Sequence, residues 1–149
     1  MAVKRTPKGE MLTELILDVF RFWGELERHG RRLVKPFGQS PSRWQVLGAA
    51  REEPRTVSQI GRRMGLTRQG VQRVANMLVR DRMADFVPNP DHRRSPILRL
   101  TPRGADVLAR INAAQAVWSN EMTEGLRLPD LEAAVRAIRE VTERLKGAV

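Results

Sequence analysis

Between Thr67 and Arg80 the sequence carries Arg68, Gln69, Gln72, Arg73, Asn76 and Arg80, and no carboxylate. Side-chain amides and guanidinium groups present paired donors and acceptors, the groups that bind adenine and guanine edges bidentately in a major groove. A turn of about 100° per residue gathers Val71, Val74, Ala75 and Leu78 on one face of a helix and turns Gln69, Gln72, Arg73, Asn76 and Arg80 to the other. Arg68 joins the polar side from the first turn. Solvated helix faces usually mix acids with bases, and this one does not. Thr67 is placed to cap the helix and to offer its hydroxyl to a phosphate. Gly70 costs about 0.5–1 kcal/mol relative to alanine inside a helix, so it is expected to allow a close approach to DNA.

The elements on either side extend this pattern. Ser58 can cap a helix over Gln59–Met64, with Gly65 as its left-handed C-terminal residue. Helix, Gly65-Leu66-Thr67 and second helix have the spacing of a helix-turn-helix, in which the second helix contacts bases and the first crosses the backbone. Arg62 and Arg63 on the first of these helices are then candidate phosphate contacts. Ala84–Val87 and Ile97–Leu100 are short apolar runs around a proline-rich polar segment, which reads as a β-hairpin with a long tip. His92, Arg93 and Arg94 lie in that tip. An arginine projected from it can enter a narrow minor groove, where the potential is most negative.

Other segments must position these parts. Residues 1–9 read as a loose basic arm. From there Leu12, Leu15, Ile16, Val19, Phe22, Trp23 and Leu26 form a wide helical stripe ending near Gly30, and 35–39 read as a loop. Ser40-Pro41 opens a helix that stops before Pro54. Arg55-Thr56-Val57 forms one extended turn or a minimal strand. Thr101-Pro102 opens a helix to about Glu124, and Pro129 opens a last one, striped by Leu131, Ala134, Val135, Ile138, Val141 and Leu145. The fold expected is mainly α with a small β-hairpin, a winged helix-turn-helix over 39–101. Dimerisation helices cover 10–38 and 102–147. The terminal stripes need a cover, and a second copy supplies one most simply. Leu12, Leu15, Val19, Leu131, Val135, Ile138, Val141 and Leu145 are the interface expected. Trp23, Trp44 and Trp118 read as core residues before ligand contacts. Arg43 could hold a carboxylate ligand, but nothing in the sequence singles it out, and no effector residue is assigned.

The composition agrees with a polyanionic partner. The 149 residues carry a formal charge of +10, and arginine heavily outnumbers lysine. Such an excess points to nucleic acid. The absence of cysteine excludes disulfides, thiolate metal sites and a thiol redox sensor. The two histidines suggest no metal motif, and no cofactor is expected. No apolar run is long enough for a membrane span, and the N-terminal segment lacks a signal-peptide core, so a cytoplasmic protein is expected. No nucleophile–base arrangement or glycine-rich phosphate loop argues for an enzyme.

The runs Ser58-Gln59-Ile60-Gly61-Arg62-Arg63-Met64-Gly65-Leu66-Thr67-Arg68, Asn89-Pro90-Asp91-His92-Arg93-Arg94-Ser95 and Leu100-Thr101-Pro102-Arg103-Gly104 resemble the MarR family of regulators over nearly the whole chain. The resemblance implies an obligate homodimer joined by its terminal helices, with one winged helix per protomer on a palindromic operator. It implies repression relieved by a small, often phenolic or aromatic, ligand. By position, Arg68, Gln69, Gln72 and Arg73 match the base-contacting part of the recognition helix, and Arg94 matches the wing arginine of the minor groove. Two departures stand out. His92 occupies the place of the usual aspartate before the arginine pair, with Asp91 one residue earlier. Arg82 stands where a glycine commonly ends the recognition helix, so a different turn is expected there.

The function expected is a repressor binding double-stranded DNA as a homodimer and released by a small-molecule effector. The rival is a sequence-tolerant DNA-coating protein, which needs charge but not an amide-rich face.

Overall fold

The computed structural model describes residues 3–148; Met1, Ala2 and Val149 lie outside the described residues, so the start of the expected arm does too. The elements are α1 (Pro7–Val34), a 3₁₀ turn (Lys35–Phe37), α2 (Pro41–Glu52), β1 (Arg55–Thr56), α3 (Val57–Met64), α4 (Arg68–Arg80), β2 (Ala84–Val87), β3 (Ile97–Leu100), α5 (Pro102–Met122) and α6 (Leu128–Gly147). The chain divides into two compact units, residues 1–114 and 115–149.

The helix starts follow side-chain caps. Thr6 accepts from the Gly9 amide and Pro7 stands at the first helical position, so α1 begins inside the stretch expected to be a loose arm. That helix also runs a full turn past Gly30, to Val34. Ser40 accepts from the Arg43 amide at 3.3 Å and opens α2. The cap of α3 is Thr56 and not Ser58. The Thr56 hydroxyl accepts from the Gln59 amide while the Gln59 side chain accepts from the Thr56 amide, a reciprocal capping box. Ser58 is left inside the first turn.

Arg55–Thr56 is a strand. It pairs antiparallel with β3, opposite Leu98 and Ile97, which selects the minimal strand of the two alternatives open there and adds a third strand to the expected hairpin, in the order β1-β3-β2. Ala84, Phe86 and Val87 of β2 face Leu100, Leu98 and Ile97 of β3. The alternation holds: Leu98 is fully buried while its neighbour Arg99 is exposed.

The core of residues 1–114 is built from Val46 and Leu47 of α2, Ile60 of α3, Val71 and Leu78 of α4, and Leu98 of β3, all fully buried. These are the apolar stripes of three short helices closed over one face of the sheet. The burial of Val71, Val74, Ala75 and Leu78 fixes which side of α4 turns outward.

The end of α4 is closed by a two-bond left-handed turn. The Arg82 amide donates to Val79 O and the Met83 amide to Leu78 O, at 3.0 and 2.8 Å. Arg82 takes φ 59°, the left-handed conformation that a glycine would adopt with less strain. The turn expected to differ at Arg82 therefore keeps the glycine geometry. The buried pair Leu78 and Met83 supplies the hydrophobic contact that accompanies this motif. Thr101 then staples α5 to it. Its amide donates to Met83 O at 3.1 Å, its hydroxyl donates to Arg82 O at 2.7 Å, and the same oxygen accepts from the Gly104 amide at 3.1 Å.

Helix α1 leaves Leu12, Ile16, Leu17, Val19, Phe20 and Trp23 exposed. Trp23, read from the sequence as core, is 54% exposed within the single chain. Residues 115–149 hold the end of α5 and all of α6, whose Leu131, Val135, Ile138 and Leu145 are exposed. Leu15 and Val141 are half-buried. No helix among the described residues is long and apolar enough to cross a membrane.

Candidate nucleic-acid interface

Helix α4 begins at a tight junction. Gly65 takes φ 66° and donates to Gly61 O, and the Leu66 amide donates to the same oxygen at 2.9 Å. A Cβ on Gly61 would stand 2.9 Å from Leu66 O, so the turn between α3 and α4 needs two glycines: one for its φ and one for its closeness. Sequence reading found Gly65 by its position after a helix. It missed Gly61, whose requirement arises only from the folded-back chain.

Thr67 caps α4 through the Gly70 amide at 3.0 Å. A Cβ on Gly70 would lie 3.0 Å from that same Thr67 oxygen. The unusual glycine therefore has a local reason: it leaves room for the cap hydroxyl above its own N–H.

With the apolar face of α4 in the core, Arg68, Gln69, Arg73, Asn76 and Arg80 are exposed and Gln72 is half-buried. Gln72 Nε2 donates to Asn76 Oδ1 at 2.9 Å. The pair leaves the Gln72 carbonyl as an acceptor and the Asn76 amide nitrogen as a donor on one face. That combination is the complement of an adenine edge.

The first acid after this face is Asp81, and its charge is already taken. Arg43 of α2 reaches Asp81 Oδ2 at 2.7 Å, and Arg80 Nε reaches Oδ1 at 3.4 Å. The hydrogen bond from Arg43 is the main cause holding the Asp81 carboxyl below its ordinary value, with the Arg43 charge and then Arg80 adding to it. The Arg43 side chain is only 12% exposed and also donates from Nε to Gln39 Oε1 at 2.8 Å. In this structure its partner is thus a carboxylate of the chain itself. Trp44 is half-buried and donates to Asn112 Oδ1 at 3.1 Å.

Of the two arginines expected to meet phosphates from α3, Arg63 pairs with Glu52 at 3.1 Å. Arg62 is exposed and enters no ion pair among the described residues. Arg55 is spent on structure, donating to Ala49 O at 2.7 Å beside Glu52 and Glu53.

The wing is organised by Asn89, which sequence reading did not single out. Its Nδ2 donates to Ser95 O at 2.9 Å across the loop, and its Oδ1 accepts from the Asp91 amide at 3.1 Å. Asparagine before Pro90 is a turn signal, but its cross-loop bond could be seen only in the folded loop. His92, Arg93 and Arg94 are exposed. Among the described residues, Asp91 forms no ion pair with either arginine.

Residues 37–95 match the family model described as MarR family. A protein of Mycobacterium tuberculosis, Rv2011c, is 39% identical over 139 residues, covering 93% of this chain and 97% of that one. This chain belongs to the MarR family. Its fold is that of the family's solved transcription regulators. The regulator BldR from Sulfolobus solfataricus superposes with a TM-score of 0.81 at 21% identity, covering 94% of this chain and 99% of that one. The transcriptional repressor CouR, solved bound to a 23-mer DNA duplex, superposes with a TM-score of 0.78 at 23% identity, covering 93% and 99%. As a MarR-family winged helix, the chain has in α3 and α4 its helix-turn-helix and in β2 and β3 its wing.

Proposed function

We propose that this MarR-family protein is a transcriptional repressor that binds a palindromic operator as a homodimer and releases it when a small ligand binds. The observation that carries the reading is the open, acid-free face of α4. Its apolar side is held in the core and its one adjacent acid, Asp81, is neutralised by Arg43. The amides Gln69, Gln72 and Asn76, with Arg68 and Arg73, meet base edges in the major groove. Thr67 and Arg62 meet phosphates, and the wing residues His92, Arg93 and Arg94 stand toward the adjacent minor groove. CouR, of the same fold, is a repressor solved on duplex DNA.

The homodimer rests on the exposed apolar faces of α1 and α6, each of which would be costly to leave in water. Leu12 and Val19 on α1, and Leu131, Val135, Ile138 and Leu145 on α6, are the exposed members of that set. Leu15 and Val141 border them. Release by a small, phenolic or aromatic, ligand follows the habit of the family. A thiol switch is closed to a chain without cysteine.

Selection of duplexes from a random library, followed by competition binding, tests the reading. The expected result is a palindrome whose half-sites lie about 10 bp apart or a multiple of that, bound by a species of twice the chain mass in light scattering. Equal affinity for every duplex would favour the DNA-coating alternative, and a stable lone protomer would remove the palindrome.

A further inference from the structure

Asp81 is the residue that ends α4; its amide donates to Met77 O at 3.0 Å. A carboxylate at the C-terminal end of a helix is opposed by the helix dipole, and a carboxylate beside a DNA-binding face repels phosphates. Two arginines share it. Arg43 holds Oδ2 at 2.7 Å, and Arg80 stands 3.4 Å from Oδ1. The two differ in how firmly they are placed. The Arg43 side chain is 12% exposed and that of Arg80 is 72% exposed.

Arg43 is fixed from behind. Its Nε donates to Gln39 Oε1 at 2.8 Å, and Gln39 Nε2 in turn donates to Phe37 O at 3.0 Å in the 3₁₀ turn. Arg80 has no such support. A pair with so exposed a partner is weak, so a phosphate can take Arg80 from Asp81 while Arg43 keeps Asp81 neutral. Arg80 lies on the same concave face as Gln72, Arg73 and Asn76. It stands about 18 Å along the helix axis from Arg68, at 1.5 Å per residue. A major groove is about 12 Å wide, so a side chain that far from the base-reading end meets backbone and not bases.

We propose that Arg43 is a positioning residue for DNA binding: by holding Asp81 it leaves Arg80 free to take a backbone phosphate at the far end of α4. The charge count gives the reason. Arg43, Arg80 and Asp81 together leave one positive charge at this end of the helix, and without Arg43 they leave none. Asp81 then closes on Arg80, its neighbour in the chain. The assignment rests on the DNA-binding reading above and deepens it, adding Arg80 to the contacts and Arg43 behind it.

The test uses the full chain and a duplex selected by the wild-type protein, with the folded state of each variant checked by circular dichroism. Arg80→Ala and Arg43→Gln each weaken binding about 5- to 10-fold near physiological salt and flatten the salt slope by about 0.9 per protomer. The selected sequence stays the same. Arg43→Gln adds nothing in a chain that already carries Arg80→Ala. Arg43→Gln with Asp81→Asn, which leaves no buried charge unpaired, restores the wild-type slope, and Arg43→Lys keeps it. The proposal is overturned, with DNA binding intact, if Arg80→Ala has the wild-type slope; this variant lies at an exposed position and decides the point even where Arg43→Gln is unstable. It is also overturned if Arg43→Gln weakens binding at an unchanged slope, or flattens the slope further when Arg80 is already alanine. Failure of the wild-type chain to select any duplex overturns this role and the DNA-binding reading together.

Discussion

A Cβ added to Gly104 would stand 1.9 Å from the carbonyl oxygen of Met83. The first turn of α5 thus lies directly on the residue that follows the left-handed end of α4. Met83 O is not free to retreat, because it accepts the Thr101 amide at 3.1 Å and Met83 itself is buried. Gly104→Ala is therefore expected to destabilise the fold by about 2–4 kcal/mol, the range of severe core strain. Urea denaturation of the purified variant measures it. Gly70→Ala makes the useful contrast, since its neighbour is a side-chain oxygen and not backbone. The gain in helix propensity roughly offsets a disturbed cap, and the net change stays within about 1 kcal/mol. A fall in DNA affinity without a fall in stability would assign Gly70 to close approach; unchanged affinity would leave it to the cap.

Arg82 pays for a left-handed backbone that glycine adopts freely. Arg82→Gly keeps the Thr101 hydroxyl bond to the Arg82 backbone carbonyl and relieves the strain, against the larger chain entropy that glycine loses on folding. The expected balance is a gain of up to about 1 kcal/mol. It would appear as a higher denaturation midpoint with an unchanged urea dependence. A loss of stability would mean that the Arg82 side chain contributes more than its backbone costs.

Asp81 supplies a pH-dependent link between α2 and the end of α4. Its folded-state carboxyl is held below its ordinary value, first by the Arg43 hydrogen bond. A depressed carboxyl contributes stability that is complete above the unfolded-state value of about 3.9 and is lost as pH falls through the folded-state value. Asp81→Asn is thus expected to be less stable than the wild type at neutral pH. The two converge in acid, once Asp81 is protonated. Parallel stability curves across that acid window would show that the ion pair is not the source of the difference.

Base reading and backbone contact are separable by substitution. Gln72→Ala or Asn76→Ala should relax the preferred sequence at one position, at a cost of about 1–3 kcal/mol against the best site. Because the two side chains share a hydrogen bond, their losses should not add in a double-mutant cycle. Arg62→Ala should weaken all duplexes alike and flatten the salt slope by about one unit. Competitive binding at several salt concentrations distinguishes these patterns, and a sequence-dependent effect of Arg62→Ala would remove it from the backbone contacts.

The sequence by itself determined what depends on local rules. Periodicity placed Val71, Val74, Ala75 and Leu78 inward and left Arg68, Gln69, Arg73 and Asn76 outward, because a helix that must bury an apolar stripe has no choice of face. Thr67, Ser40 and Gly65 were legible because caps and left-handed turns restrict residue type within three or four positions. The cap of α3 was misplaced to Ser58 because Thr56 and Ser58 both offer hydroxyls, and only the reciprocal bond with Gln59 selects between them. Tertiary structure alone decided the rest. β1 became a strand because β3 lay beside it. Gly61 and Gly104 are required by carbonyl groups that the chain folds back against them. Arg43 found Asp81 because helix packing brings together residues far apart in sequence. Such meetings depend on distances in space, and neither residue type nor spacing along the chain encodes them.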